Sequence, residues 1–184
     1  MKKRMLSFLF VLIGLFGLIG CQSMPYDGHK AFDNAEDYSD LAGYMGWNYF
    51  YGDVEWNPTP MAYIPYYGCY RSNRVSVTKS EWDPHQEHDI IMCHTAQRSG
   101  KANVNIALRI IQRQKPVDDG VIFRAYDNDL QLLYEVLMTG AEEDSKAEKE
   151  LSIKLAKGEK LWFTLSAGAR DENDLTDVKV SVRF

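Results

Sequence analysis

The strictest constraint in this chain is a two-residue rhythm of apolar side chains. Val104, Ile106, Leu108 and Ile110 alternate with Asn103, Asn105, Ala107 and Arg109. Successive side chains of a strand point to opposite faces, whereas a helix needs a period of 3.6, so this run predicts a strand with one apolar face. The rhythm returns along the chain. Asp118-Asp119-Gly120 reads as a turn into Val121, Phe123 and Ala125, and Asp127-Asn128-Asp129 as a turn into the apolar run 130–138. Leu151, Ile153 and Leu155 lead to Lys157-Gly158-Glu159-Lys160, and Leu161, Phe163 and Leu165 lead away, which predicts a hairpin. Val178, Val180, Val182 and Phe184 supply a last strand, while the charged run 141–150 predicts a short helix or an exposed loop. Short strands without βαβ spacing imply an all-β antiparallel β-sandwich, expected over residues 43–184.

The N-terminus reads as an address. Met1-Lys2-Lys3-Arg4 is basic, and residues 5–19 are almost wholly apolar, broken by Ser7, Gly14 and Gly17. Such a run is short for a bilayer span and has the layout of a secretion signal. It ends in Leu18-Ile19-Gly20-Cys21, which resembles the lipobox of bacterial lipoprotein precursors. That resemblance implies a signal peptide over residues 1–20, cleavage after Gly20 and lipidation of the Cys21 thiol, with acyl chains such as palmitate. Two or three acyl chains anchor stably where one is marginal. An uncleaved transmembrane anchor is the alternative. Gln22 is not the aspartate associated with inner-membrane retention, so the outer membrane is the expected location. Residues 21–42 are polar and acidic, with Pro25, Gly28 and the run Asp33-Asn34-Ala35-Glu36-Asp37, and predict a flexible tether.

Export bears on the remaining cysteines. Cys69 and Cys93 have a single intrachain pairing in an oxidising compartment. A disulfide between them would close a loop of about 25 residues and contribute about 3 kcal/mol. Two separately buried thiols are the alternative.

Charge narrows the partners. The chain has 21 Lys+Arg against 26 Asp+Glu, a formal −5. Loss of Lys2, Lys3 and Arg4 leaves 18 basic against 26 acidic residues, a net −8. This lacks the footprint of a nucleic-acid binder, and it argues against docking on anionic lipid through basic patches.

Aromatic residues crowd between Tyr44 and Trp82, among them Trp47, Phe50, Trp56, Tyr66, Tyr67 and Tyr70. Aromatic faces stack on the flat C–H faces of sugars while neighbouring polar groups bond the hydroxyl rim. They also anchor protein interfaces, and alternate ones fill cores. Tyr66 and Tyr67 are adjacent, so in a strand only one can point inward. Trp47, Trp56, Tyr66, Tyr67, Tyr70 and Arg71 are the candidate ligand-binding residues, with Asn48, Asn57 and Asn73 at the rim.

Other constellations are weaker. His85, His88 and His94 with Asp83, Asp89 and Cys93 could be read as metal ligands, or as a polar loop. Asp171-Glu172-Asn173-Asp174 with Asp177 could hold Ca2+, or form a solvated loop. No Gly-x-Ser-x-Gly elbow, His-Glu-x-x-His motif or phosphate loop is present, and no catalytic residue, metal or cofactor is assigned.

Ordered motifs carry a resemblance over residues 46–184. They are Gly46-Trp47-Asn48-Tyr49-Phe50-Tyr51-Gly52, Pro84-His85, Ile90-Ile91-Met92 with Thr95-Ala96 and Ser99-Gly100, Asp119-Gly120-Val121, Lys157-Gly158-Glu159, and Asn173-Asp174-Leu175-Thr176. Together they resemble the jelly-roll, carbohydrate-binding-module-like β-sandwiches of bacterial surface lipoproteins and glycan-active enzymes. His94 stands where that family commonly has tryptophan, and Gln97 where it has proline. The resemblance implies a jelly-roll-like sandwich and a non-catalytic role. The expected function is therefore a lipid-anchored cell-envelope protein that recognises glycan through exposed aromatics. The second reading is an envelope-assembly or inhibitor lipoprotein that binds another protein.

Overall fold

A computed structural model of the chain describes residues 31–55, 57–72, 74–111, 120–139, 146–168 and 174–184. The lipobox, Trp56, Asn73 and Asp171-Glu172-Asn173 lie outside the described residues. In chain order the strands are β1 (Ala31–Asp33), β2 (Trp47–Gly52), β3 (Thr59–Pro60), β4 (Ala62–Ile64), β5 (Cys69–Ser72), β6 (Val75–Val77) and β7 (Glu81–Asp83). They continue as β8 (Asp89–Thr95), β9 (Gly100–Ile110), β10 (Val121–Tyr126), β11 (Leu132–Met138), β12 (Lys146–Leu155), β13 (Lys160–Ala167) and β14 (Thr176–Arg183).

One sheet runs β12-β9-β14-β7-β6-β5-β4, with β1 also on β14, and the other runs β11-β10-β13-β8-β2-β3. All are antiparallel, and the two sheets form a jelly-roll-like β-sandwich. The alternation read in the sequence sets the layers. Val104, Ile106, Leu108 and Ile110 of β9 meet Phe123, Phe163, Leu165 and Met92 of the opposing sheet in one buried core. Burying such side chains stabilises by about 1.5–3 kcal/mol each.

The hairpin expected around Lys157-Gly158 is instead a corner between sheets. β12 pairs with β9, whereas β13 pairs with β10 and β8. The turn is tight as expected, but the chain changes layer within it. It stacks on the β8–β9 corner: the Gly158 N–H donates to the Ala96 carbonyl (2.8 Å), the Ala96 N–H to the Glu159 carbonyl (2.8 Å), and the Lys157 N–H to Ser99 Oγ (2.9 Å). The charged run after residue 145 is also strand: Lys146 to Glu150 extend β12 along β9. As an edge strand, β12 can leave charged side chains in solvent.

Residues 31–34, expected within the tether, belong to the sandwich. Phe32 of β1 is buried in the core, and Ala31–Asp33 pair with Ser181–Arg183 of β14. Asn34 is buried too. Its Nδ2 donates to the Val178 carbonyl (3.0 Å), and its Oδ1 accepts the Val180 N–H (2.6 Å). The carboxamide thus satisfies β14 where it has no strand partner between β1 and β7. A polar residue read as linker is a backbone mimic.

The expected Cys69–Cys93 disulfide is absent: both cysteines are free and buried. Tyr70 and Met92 point into the core, so their neighbours Cys69 and Cys93 point out of it on different sheets. Both sheets stand between the thiols. Burial pushes the Cys93 thiol up to about 11.

Candidate functional site

Strand parity divides the candidate aromatics. Trp47 is 1% exposed and packs 4.4 Å from the His94 ring and 6.4 Å from Phe163. It starts β2 on the inward parity, delivered there by Gly46 at φ +90°, where an added Cβ would lie 2.6 Å from the Thr95 carbonyl oxygen. Tyr70 is 2% exposed. Its ring meets Tyr49, Tyr63 and Tyr38 at 4.7, 5.4 and 5.9 Å, and its hydroxyl donates to the Ser39 carbonyl (2.8 Å). Burial pushes its pKa up to about 12. Trp47 and Tyr70 are therefore core residues with no face to offer a ligand, a correction to the expected set.

Tyr66 and Tyr67 sit in the turn between β4 and β5, not in a strand, and both reach solvent, at 88% and 58% exposure. Their rings meet edge to face at 4.9 Å, and the Arg71 guanidinium lies 5.2 Å over Tyr67. The turn closes on Gly68 at φ +64°, whose N–H donates to the Ile64 carbonyl (3.0 Å). These three form an aromatic tip on the far edge of the eight-stranded sheet.

A second cluster lies on the outer face of the six-stranded sheet. Register places Phe50, Ile91, Thr164, Arg124 and Glu135 in one row across β2, β8, β13, β10 and β11. The next row holds Asn48, Cys93, Trp162 and Tyr126. Phe50 and Trp162 approach to 5.9 Å, with the Lys160 ammonium 5.2 Å over Trp162. Arg124 Nε donates to Glu135 Oε2 (2.6 Å), and its Nη1 to Ser166 Oγ (3.4 Å).

Asp89 joins this network. Burial pushes its carboxyl up, against the opposing pull of a Ser166 hydrogen bond and the Arg124 charge. Asp53 raises it further, and Glu55 raises Tyr126, so the segment after β2 lies beside the network. The Thr164 hydroxyl is buried beside Tyr126. The face thus combines three aromatic rings with a carboxylate, a guanidinium and hydroxyls that can donate and accept.

Sequence reasoning named Phe50 only within the aromatic run, and it missed Tyr126, Trp162, Arg124 and Ser166. The signal was available in β13. Leu161, Phe163 and Leu165 take the inward parity, which leaves Trp162 on the parity that is otherwise polar.

The histidines do not converge. His94 is fully buried between Trp47 and Phe32, and its ring nitrogens have no hydrogen-bond partner among the described residues. His85 Nδ1 accepts the Glu87 N–H (3.3 Å), and its Nε2 lies 3.2 Å from Arg74. Asp177 pairs with Arg109 and Lys179. Among the described residues no group of three or more His, Cys, Asp and Glu is placed to hold a metal ion.

No family model and no curated protein matches the sequence. Solved structures do match. A family 35 carbohydrate-binding module from Cellvibrio japonicus Abf62 is 14% identical, with a TM-score of 0.42 over 84% of this chain and 93% of that one. A family 35 module from Clostridium thermocellum is 9% identical, with a TM-score of 0.40 over 84% of this chain and 98% of that one. A family 6 module from Cellvibrio mixtus lichenase 5A, in complex with cellotriose, is 8% identical, with a TM-score of 0.34 over 83% of this chain and 96% of that one. A likeness of this size carries no argument about a ligand, and the site is read from its own residues.

Proposed function

We propose that this protein is a lipid-anchored, non-catalytic binding protein of the bacterial cell envelope that recognises a glycan on the outer face of its six-stranded sheet. One observation carries the reading: Trp162, Phe50 and Tyr126 stand on the non-core parity beside the bonded Asp89–Ser166–Arg124 network. Rings of this kind stack on sugar C–H faces, while the carboxylate accepts hydroxyl hydrogens and the guanidinium donates to ring and hydroxyl oxygens. Trp56 follows Asp53 and Glu55 in sequence, lies outside the described residues, and is kept as a proposed contributor. Cys21 is proposed as the lipidated residue, with the outer membrane as the location.

The test is a glycan array probed with the detergent-solubilised chain, followed by calorimetry of any hit. Trp162→Ala should weaken binding about twofold to tenfold, since a stacked ring contributes roughly 0.5–1.5 kcal/mol beyond its buried area. Unchanged affinity in that variant would remove the site. The second reading, a protein partner, is favoured by the Tyr66–Tyr67 tip with Arg71, residue types that dominate interface hot spots. Reproducible recovery of one envelope protein, lost in Tyr66→Ala, would select it.

A further inference from the structure

The net acidic charge conceals an uneven distribution. The β8–β9 and β12–β13 corners lie at one end of the sandwich, joined by hydrogen bonds. Lys101 and Lys154 face each other directly across β9 and β12 there, both exposed. Lys157 is exposed in the adjoining corner. Arg183 pairs with Asn103 two residues from Lys101, and Arg98 lies 5.5 Å over the ring of Phe184. Like charges directly opposite on a sheet repel, so this arrangement costs stability unless something negative meets it. The acidic groups nearby are Glu159, whose carboxylate accepts the Ala156 N–H, and Asp127 and Asp129 of the turn that bonds Lys160.

Several basic residues elsewhere lie against acidic ones. Lys79 pairs with Glu36, Arg109 and Lys179 with Asp177, and Arg124 with Glu135. Among the described residues Lys101, Lys154, Lys157 and Arg183 have no ion-pair partner. The opposite end carries Lys146 facing Arg109 across β12 and β9, and Arg74 beside His85, but acidic residues outnumber them: Asp53 and Glu55 follow β2, Asp83, Glu87 and Asp89 flank the β7–β8 connection, and Asp177 pairs with Arg109.

We infer that the basic end rests on anionic lipid headgroups, holding the domain upright with its acidic end outward. The chain itself argues for lipid over other polyanions. Ala31 pairs with Arg183, so the chain leaves the domain at this same end. The ten residue steps from Cys21 to Ala31 can span at most about 35 Å. The headgroup potential acts over roughly 8–10 Å, within reach of a domain so tethered. Each lysine or arginine near such a surface strengthens contact about fivefold. The inference rests on the proposed N-terminal anchoring, and it holds whether Cys21 is acylated or the apolar segment is retained, because the tether is the same.

The full chain is reconstituted into vesicles of phosphatidylcholine with or without phosphatidylglycerol, and a headgroup-attached quencher reads two genetically encoded fluorophores. One replaces Ala156 at the basic end, and the other replaces Glu87 at the acidic end. Expected is strong quenching at 156 and little at 87 in anionic vesicles. It should be lost in 0.5 M salt, where the Debye length is about 4 Å, and in the Lys101→Glu, Lys154→Glu double variant, whose contact should fall at least tenfold. Equal quenching at the two ends, or quenching unchanged in neutral vesicles, would overturn the inference. The mass of the N-terminal peptide reads the anchor separately, so failure of that reading is told apart.

Discussion

Two aromatic clusters of similar composition meet opposite fates in this domain. Trp47, Tyr49, Tyr63 and Tyr70 fill the space between the sheets, while Phe50, Tyr126 and Trp162 stand on the outer face of one of them. Trp47 and Phe50 are three residues apart on the same strand. Parity, not aromatic density, decides which ring is structural and which can meet a ligand. A polar network accompanies the outer cluster alone: Asp89, Arg124 and Ser166 are bonded beside it. In the inner cluster the indole N–H of Trp47 and the hydroxyl of Tyr49 are buried with no partner among the described residues.

The sharpest way to break this comparison is to remove one tryptophan from each cluster. Trp47→Ala should destabilise by about 3–5 kcal/mol, the usual cost of emptying a large aromatic site in a packed core. Trp162→Ala should cost under about 1.5 kcal/mol, because its ring is only half buried. Urea denaturation of both variants decides it. Comparable losses would mean that the outer ring is part of the core after all.

His94 sharpens the same contrast through pH. Burial among Trp47 and Phe32 pushes its pKa down to about 3, from an ordinary 6.5. The unfolded chain therefore binds a proton between these values that the folded chain does not. Stability from this group is fully present above pH 6.5 and falls as pH drops towards 3. At pH 4 the loss should be about 3 kcal/mol. His94→Leu should flatten that part of the stability profile. An unchanged acid limb in the variant would show that other groups set it.

Much of this fold was legible because β9, β13 and β14 keep their alternation to the end. The β12–β13 connection was misread because Lys157-Gly158 has the chemistry of a tight turn, and turn chemistry does not say which sheet receives the chain. The β1 segment was misread for another reason. One buried phenylalanine and one asparagine that mimics a backbone partner carry no periodicity. For the site, nomination followed aromatic density, which selected Trp47 and Tyr70. Tyr126, Trp162, Arg124 and Asp89 come together only when β8, β10 and β13 are paired, and no local pattern contains that register.

The smallest expected effect concerns the two thiols, the other pair that parity separates. Cys69 and Cys93 are alternate to core residues on different sheets, so bonding them would require one strand to turn over. A disulfide tolerates Cα atoms at most about 7 Å apart, whereas packed sheets lie about 10 Å apart before outward-pointing side chains are considered. Adding or withholding reductant should therefore leave the unfolding midpoint unchanged. Both thiols should resist alkylation in the folded protein, being buried, with that of Cys93 also held protonated by a pKa raised to about 11. Both should react after denaturation without reduction. A peptide joining the two in a non-reducing digest would show that the native pairing differs, and a midpoint lowered by reductant would place the cross-link within the cooperative fold.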